Sequence, residues 1–89
     1  MAEEVIPTDE KTFQNAVAKT AKDPNFVFIL CKNGACKFCD YAKSKAKSEK
    51  WTRAIMIDDE NGTIIRNVVP KQFPNSEATY PRIFIGGQL

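Results

Sequence analysis

Two cysteines spaced three residues apart, Cys36 and Cys39, are the residues of this chain best suited to chemistry. On a helix, positions three apart share a face, so the two sulfur atoms can meet in a disulfide. The pair follows an apolar run and a short glycine-containing loop, where a helix is expected to begin. Unpaired N–H groups and the helix dipole favour a thiolate there. We therefore expect Cys36 to be a nucleophile and Cys39, one turn deeper, to be the resolving thiol.

Two lysines add positive charge near this pair of thiols. Lys32 precedes the loop, and Lys37 follows Cys36 directly. A nearby positive charge lowers the pKa of a cysteine thiol. Lys37 could therefore favour the Cys36 thiolate, or it could simply be solvated, and the sequence weighs these alternatives evenly.

The other uses of a cysteine pair fit the sequence less well. A structural zinc site needs a second pair of ligands, but the chain has three cysteines and no histidine, so no metal site is expected. Two unpaired structural cysteines are a further alternative to redox chemistry. Cys31 ends an apolar run and is predicted to be a small core residue. An odd number of cysteines without a secretory signal favours a reducing, cytoplasmic location.

Composition and length limit the remaining classes of protein. The chain has 89 residues, of which 43% are hydrophobic and 27% charged, as expected for one globular domain spanning 1–89. A net charge of +2 gives no reason to expect nucleic-acid binding. Its longest apolar run, Phe26 to Cys31, is too short to cross a membrane.

Hydrophobic periodicity predicts alternating helices and strands. The helices are expected from an N-cap at Thr8 to Lys22, from Cys36 to about Glu49, and in a short segment that begins near Ile64 and stops at Pro70. The strands are expected at Phe26–Cys31, Arg53–Ile57 and Arg82–Ile85, with a turn at Gly86 and Gly87. This order predicts an α/β fold in which the first two strands are parallel. We also expect Tyr41 and Trp51 to pack in the interior.

A second motif, Thr79-Tyr80-Pro81, precedes the last predicted strand. Together with Lys32 and the Cys36-x-x-Cys39 pair, it resembles the dithiol glutaredoxin family over about Phe26 to Leu89. The resemblance implies a thioredoxin-like fold, with a central mixed sheet flanked by helices. Three features in or beside these motifs differ from the family. Tyr80 replaces a usual valine, Lys37 replaces a usual proline, and the loop before Cys36 is one residue longer.

The resemblance also implies roles for individual residues. Pro81 would be cis and face the thiol pair, and the backbone of Tyr80 would pair with extended glutathione as an added strand does. Lys32 would neutralise a glutathione carboxylate or the Cys36 thiolate. Thr79 would line the same groove. The expected binding residues are Lys32, Lys37, Phe38, Thr79, Tyr80 and Pro81.

The function implied is a glutathione-dependent thiol–disulfide oxidoreductase that reduces protein disulfides or glutathionylated proteins. Glutathione would be a co-substrate, with no tightly bound cofactor, and the protein would be a monomer. One alternative is a thioredoxin-like protein reductant that uses a reductase directly. Another is a non-enzymatic module whose thiols hold a metal, an iron–sulfur cluster or another thiol.

The family differs from this sequence most at the C-terminus. Family members continue past the Gly-Gly turn with a further strand, a glutathione-binding Gly-Gly-x-x-Asp segment and a closing helix, whereas this sequence ends at Leu89. We therefore expect the last strand and helix of the family to be absent. Arg82–Ile85 would then be an exposed edge unless the N-terminal helix or a partner covers it.

Overall fold

A run of apolar residues builds the central strand of the sheet. The computed structural model describes residues 3–33 and 37–87, and β2 in it has all six of its residues buried. The strands are β1 (Glu3–Val5), β2 (Phe26–Cys31), β3 (Thr52–Ile57) and β4 (Arg82–Phe84). The helices are α1 (Glu10–Lys22), α2 (Lys37–Ser48), a π-helical turn (Ile64–Val68) and α3 (Val69–Gln72).

The four strands form one mixed sheet in the order β1-β3-β2-β4. β2 and β3 are parallel, with Phe26 opposite Thr52 and Cys31 opposite Ile57. β4 runs antiparallel to β2, with Phe84 opposite Phe28. The predicted α/β class and the parallel pairing of the first two predicted strands are confirmed.

Alternate residues of β2 point to opposite faces of the sheet, so each face has its own apolar cluster. Phe28 and Leu30 pack with residues of α1, the π-helical turn and α3. Val27, Ile29 and Cys31 pack with the buried side of α2. We call the first side the closed face and the α2 side the open face.

β1 was not among the predicted strands. This strand pairs parallel to β3, with Val5 opposite Ile55, and lies at the opposite edge of the sheet from β4. Its three residues are two glutamates and one valine, so neither length nor alternation marked it as a strand. Among the described strands, β4 has a single neighbour, β2, and forms the other edge.

The predicted N-cap at Thr8 is wrong by one residue. Asp9 caps α1, because its backbone is extended and its carboxylate accepts a bond of 2.8 Å from the Thr12 N–H. The Thr8 hydroxyl instead donates to the carbonyl of Ile57 at 2.8 Å. The helix ends before Asp23, as predicted.

The prediction that Pro70 stops the third helix is also wrong. Ile64, Ile65, Val68 and Val69 are buried on one side, as expected, but the helical segment continues to Gln72. Pro70 lies in the first turn of α3. There its missing N–H and fixed φ are tolerated.

A short turn after β4 is bonded to α1. Gly86 and Gly87 both have positive φ, as a glycine turn allows. The Gly87 N–H donates to the Thr20 hydroxyl at 2.9 Å, and that buried hydroxyl donates to the Val17 carbonyl at 2.6 Å. A Cβ added to Gly87 would lie 3.0 Å from the Cβ of Ala21. None of the helices in the described segments is long and apolar enough to span a bilayer.

Candidate functional site

Cys39 lies in the first turn of α2 and is 3% exposed. It belongs to the apolar cluster of the open face, with Cys31 and Val27 among its members. The prediction that Cys31 is a core residue is confirmed. Cys36, the predicted nucleophile, lies outside the described residues, so its pairing with Cys39 stays a prediction.

The segment Tyr80–Pro81 lies beside this cluster. The peptide bond between the two residues is cis, as the resemblance implies. Tyr80 is half-buried and packs against the clusters of both faces of the sheet. The structure therefore brings the predicted Tyr80 and the predicted Cys39 to the same part of the molecule.

An apolar groove of about 540 Å³ lies between α2 and β4. Its single charged wall residue among the described residues is Lys45. Phe38 and Tyr41 are exposed by 70% and 71%, which corrects the prediction that Tyr41 packs in the interior. Its walls are formed by Val27, Ile29, Phe38, Tyr41, Ala42, Lys45, Ala46, Trp51, Tyr80, Pro81, Ile83 and Ile85.

Neither Tyr41 nor Trp51 belongs to the fully buried side of the α2 layer. The buried side of α2 is formed by Cys39, Ala42 and Ala46. Trp51 follows the helix and is half-buried at the edge of the open-face cluster, so the prediction of an interior tryptophan holds only in part.

A second, charged pocket of about 270 Å³ lies at the carboxyl ends of the parallel strands β2 and β3. Ligands commonly bind at this end of parallel strands. Both signs of charge line it, so it is suited to a ligand that carries both signs. Its walls are formed by Lys32, Asn33, Asp59, Glu60, Gly62, Ile65, Arg66, Ala78 and Tyr80.

A buried carboxylate, Asp58, lies behind this pocket. Its Oδ1 accepts from the N–H groups of Asp59 and Ile64 at 2.9 and 3.0 Å. Its Oδ2 accepts from the Ile65 N–H at 2.9 Å and from the Tyr80 hydroxyl at 2.7 Å. Asp58 therefore joins the end of β3, the start of the π-helical turn and the segment before β4.

Hydrogen bonds and burial shift two pKa values at the pocket. Burial raises the pKa of the Tyr80 phenol, and its hydrogen bond to the Asp58 carboxylate raises it further. Bonds from the Thr63 hydroxyl and N–H lower the pKa of Asp59 below its ordinary value. Tyr80 therefore remains a protonated hydrogen-bond donor at neutral pH.

The remaining predicted binding residues divide between the two pockets and the open surface. Lys32 lines the charged pocket, whereas Phe38 and Pro81 line the apolar groove. Thr79 is exposed and lines neither; Arg82 donates to its carbonyl at 2.7 Å and also to its hydroxyl. Lys37, at the start of α2, is likewise exposed and lines neither pocket.

Sequence reasoning did not identify Arg66 or Asp58 as residues of this region. Arg66 is the basic residue of the π-helical turn, and nothing in its local pattern places it beside Lys32. The position of Asp58 could have been noticed, because it lies between an apolar strand and the next helical segment. A carboxylate there can accept hydrogen bonds from the first N–H groups of a helix.

Within residues 3–33 and 37–87, no group of three or more His, Cys, Asp or Glu side chains is placed to hold a metal ion. Cys36 lies outside that range. No family model, curated protein or solved structure matches the chain.

Proposed function

We propose that this protein is a glutathione-dependent thiol–disulfide oxidoreductase with a thioredoxin-like fold. The carrying observation is the position of Tyr80, which packs against the cluster containing Cys39 and also lines the charged pocket with Lys32. Tyr80 lies far from Cys39 and Lys32 in the sequence, and the resemblance expects all three at one site. Cytoplasmic location and a monomeric state belong to the same proposal.

The chemistry is a pair of thiol–disulfide exchanges. The Cys36 thiolate attacks the cysteine–glutathione disulfide of a glutathionylated protein at the glutathione sulfur. That disulfide breaks as the new one forms, and the protein substrate leaves as a thiolate that takes up a proton. A second glutathione thiolate then attacks the mixed disulfide, releases Cys36 and forms glutathione disulfide.

Cys39 has a separate part in the reduction of protein disulfides. After Cys36 has formed a mixed disulfide with the substrate protein, the Cys39 thiolate attacks the Cys36 sulfur and the substrate is released with both cysteines reduced. Two glutathione molecules return the Cys36–Cys39 disulfide to the dithiol. The burial of Cys39 suits this role because a buried thiol is shielded from competing reagents.

The charged pocket supplies complementary groups for glutathione, which carries two carboxylates and one ammonium group. Lys32 and Arg66 are suited to its carboxylates, and Asp59 or Glu60 to its ammonium group. Cys36 is the assigned nucleophile.

The test is a coupled assay with NADPH, glutathione reductase, glutathione and a glutathionylated peptide. We expect turnover by the wild type and by Cys39→Ser, because glutathione alone resolves the mixed disulfide. We expect none by Cys36→Ser, because it lacks the nucleophile. Cys31→Ser is the matched control, since it removes a buried thiol outside the pair. Turnover by Cys36→Ser would contradict the assignment of the nucleophile.

A thioredoxin-like protein reductant is the second candidate function. The apolar groove favours it, because it lies along α2 and has exposed aromatic side chains that suit a polypeptide surface. The decisive comparison is reduction of the oxidised protein by glutathione or by thioredoxin reductase with NADPH. A wild type that forms the Cys36–Cys39 disulfide but is reduced only by the reductase would favour this second function.

A further inference from the structure

A hydrogen bond joins the buried Asp58 carboxyl group to Tyr80, whose side chain lines both pockets. Asp58 is 1% exposed, and three of its four hydrogen bonds come from backbone N–H groups. Those three donors belong to neighbouring parts of the chain and fix the carboxylate in place. The fourth donor is the Tyr80 hydroxyl, so the fixed carboxylate also fixes the end of the Tyr80 ring.

Tyr80 lies at the boundary between the apolar groove and the charged pocket. It alone, among residues 3–33 and 37–87, lines both the apolar groove and the charged pocket. Its ring therefore forms a wall between an apolar surface and a charged one. A ring held at both its backbone and its hydroxyl cannot swing into either space without breaking the bond to Asp58.

We propose that Asp58 positions the Tyr80 ring as the partition between the charged pocket and the apolar groove, which makes Tyr80 a specificity-determining residue. This inference rests on the proposed function. The charged pocket then receives the glutathionyl part of a glutathionylated substrate, while the apolar side chains of the protein part stay on the groove side. Asp58 is a positioning residue, because it acts through Tyr80.

The first test is the kinetics of Tyr80→Phe, which keeps the ring and removes only the hydroxyl. We expect KM for a glutathionylated peptide to rise about threefold to tenfold, with kcat changed less than about twofold. A loss confined to kcat, or an unchanged KM, would overturn the assignment of Tyr80 to substrate specificity.

Thr8→Val is the matched control for that variant. It removes one hydroxyl bonded to the carboxyl end of β3, where the Thr8 hydroxyl donates to the carbonyl of Ile57 at 2.8 Å, and Thr8 does not line either pocket. We expect a similar loss of stability and an unchanged KM. A KM raised equally in both variants would mean that general loosening of this region, and not the Tyr80 partition, sets substrate affinity.

The second test does not depend on enzyme activity. The chain contains two tyrosines, so in Tyr41→Phe the ultraviolet absorbance of phenolate reports Tyr80 alone. We expect Tyr80 to stay protonated at about pH 11 in the folded protein and to ionise in guanidinium, because an unperturbed tyrosine titrates near 10. Adding Asp58→Asn should bring the folded-state titration back toward the ordinary value.

The two tests separate the two proposals. An inactive wild type would overturn the proposed function, and with it the role of Tyr80 in specificity. The titration of Tyr41→Phe, with and without Asp58→Asn, would still decide whether Asp58 holds the Tyr80 hydroxyl, because burial raises the pKa of Tyr80 in both variants. A Tyr80 that ionises in the folded protein as it does in guanidinium would overturn the positioning, even in an active enzyme.

Discussion

The two faces of the sheet differ in how completely they are covered. On the closed face, α1, the π-helical turn and α3 surround three aromatic rings, Phe13, Phe28 and Phe84, whose centroids lie 5.1 to 5.6 Å apart. On the open face, α2 covers β2 but leaves β4 uncovered, and Ile83 and Ile85 are 37% and 49% exposed. One face holds a filled core, and the other holds a groove.

This difference separates the filled core from the predicted redox helix and its groove. The predicted redox helix, the groove and Pro81 all lie on the open face. Because close-packed interiors respond strongly to small changes in volume, the closed face is the one that should carry most of the folding free energy. The open face can then vary its surface for substrates at little cost in stability.

The largest contrast between the two faces is expected when one phenylalanine is removed from each. Phe13→Ala deletes a fully buried ring that makes edge contacts with both other rings, so the free energy of unfolding should fall by about 3–5 kcal/mol. Phe38→Ala removes an exposed ring from the groove and should change the free energy of unfolding by less than about 0.5 kcal/mol. Urea denaturation measures both. Equal losses would refute the assignment of stability to the closed face.

A finer comparison uses Ile29 and Ile83, which are direct cross-strand partners on the open face. Ile29 is buried beneath α2, so Ile29→Ala should lower the free energy of unfolding by about 2–4 kcal/mol. Ile83 is partly exposed, so the same substitution there should cost about 1 kcal/mol or less. If Ile83→Ala proved as costly as Ile29→Ala, the β4 side of the groove would be packed rather than open.

The cap of α1 provides a smaller test on the closed-face side. Asp9→Ala removes the acceptor of the Thr12 N–H and should lower the melting temperature by about 4–8 °C. Asp9→Asn keeps a capping oxygen and should lower the melting temperature by less than about 2 °C. Thermal unfolding of the two variants checks the pair. Identical losses would show that the charge matters and the hydrogen bond does not.

Acidification should produce the smallest effect. Bonds from the Thr12 N–H lower the pKa of Asp9, and bonds from Thr63 lower that of Asp59, in the folded protein. A depressed folded-state pKa contributes stability above the unfolded pKa of about 3.9, and this contribution is lost as pH falls through the folded-state value. Urea midpoints measured downward from about pH 5 should therefore fall in the wild type.

The double variant Asp9→Asn with Asp59→Asn is the control for the acid experiment. It lacks both perturbed carboxyls, so its urea midpoint should depend less on pH over the same range. A wild type and a double variant with parallel pH profiles would assign the acid sensitivity to other groups.

Much of the fold follows from local pattern. The uninterrupted apolar run at Phe26–Cys31 predicted a strand covered on both faces, and the structure buries all six residues. The cap of α1 was predicted one residue early because Thr8 and Asp9 are both good capping residues. Their roles are set by a distant bond, from the Thr8 hydroxyl to Ile57, which no local pattern contains. β1 was missed for the same reason, since pairing with β3 defines it.

The candidate site could be predicted in part. Short motifs marked Cys39, Lys32, Tyr80 and Pro81, and their roles stay predictions. The structure places Lys32 and Tyr80 on the charged pocket, Tyr80 and Pro81 on the apolar groove, and Cys39 in the buried open-face cluster. The prediction for Tyr41 was wrong because Tyr41 lies beside, and not on, the buried side of α2 that Cys39, Ala42 and Ala46 form. The contacts of Asp58 with Tyr80 span 22 positions in the chain, so they depend on the tertiary fold.

The bond between Gly87 and Thr20 has a consequence for amide hydrogen exchange. The Gly87 N–H can exchange only when its bond to the Thr20 hydroxyl opens, and that hydroxyl lies buried in α1. The exchange rate of this single amide therefore reports how often the turn after β4 separates from α1. Gly87, in the turn after β4, thus provides a probe of the closed face that NMR can follow while glutathione or a protein substrate is added.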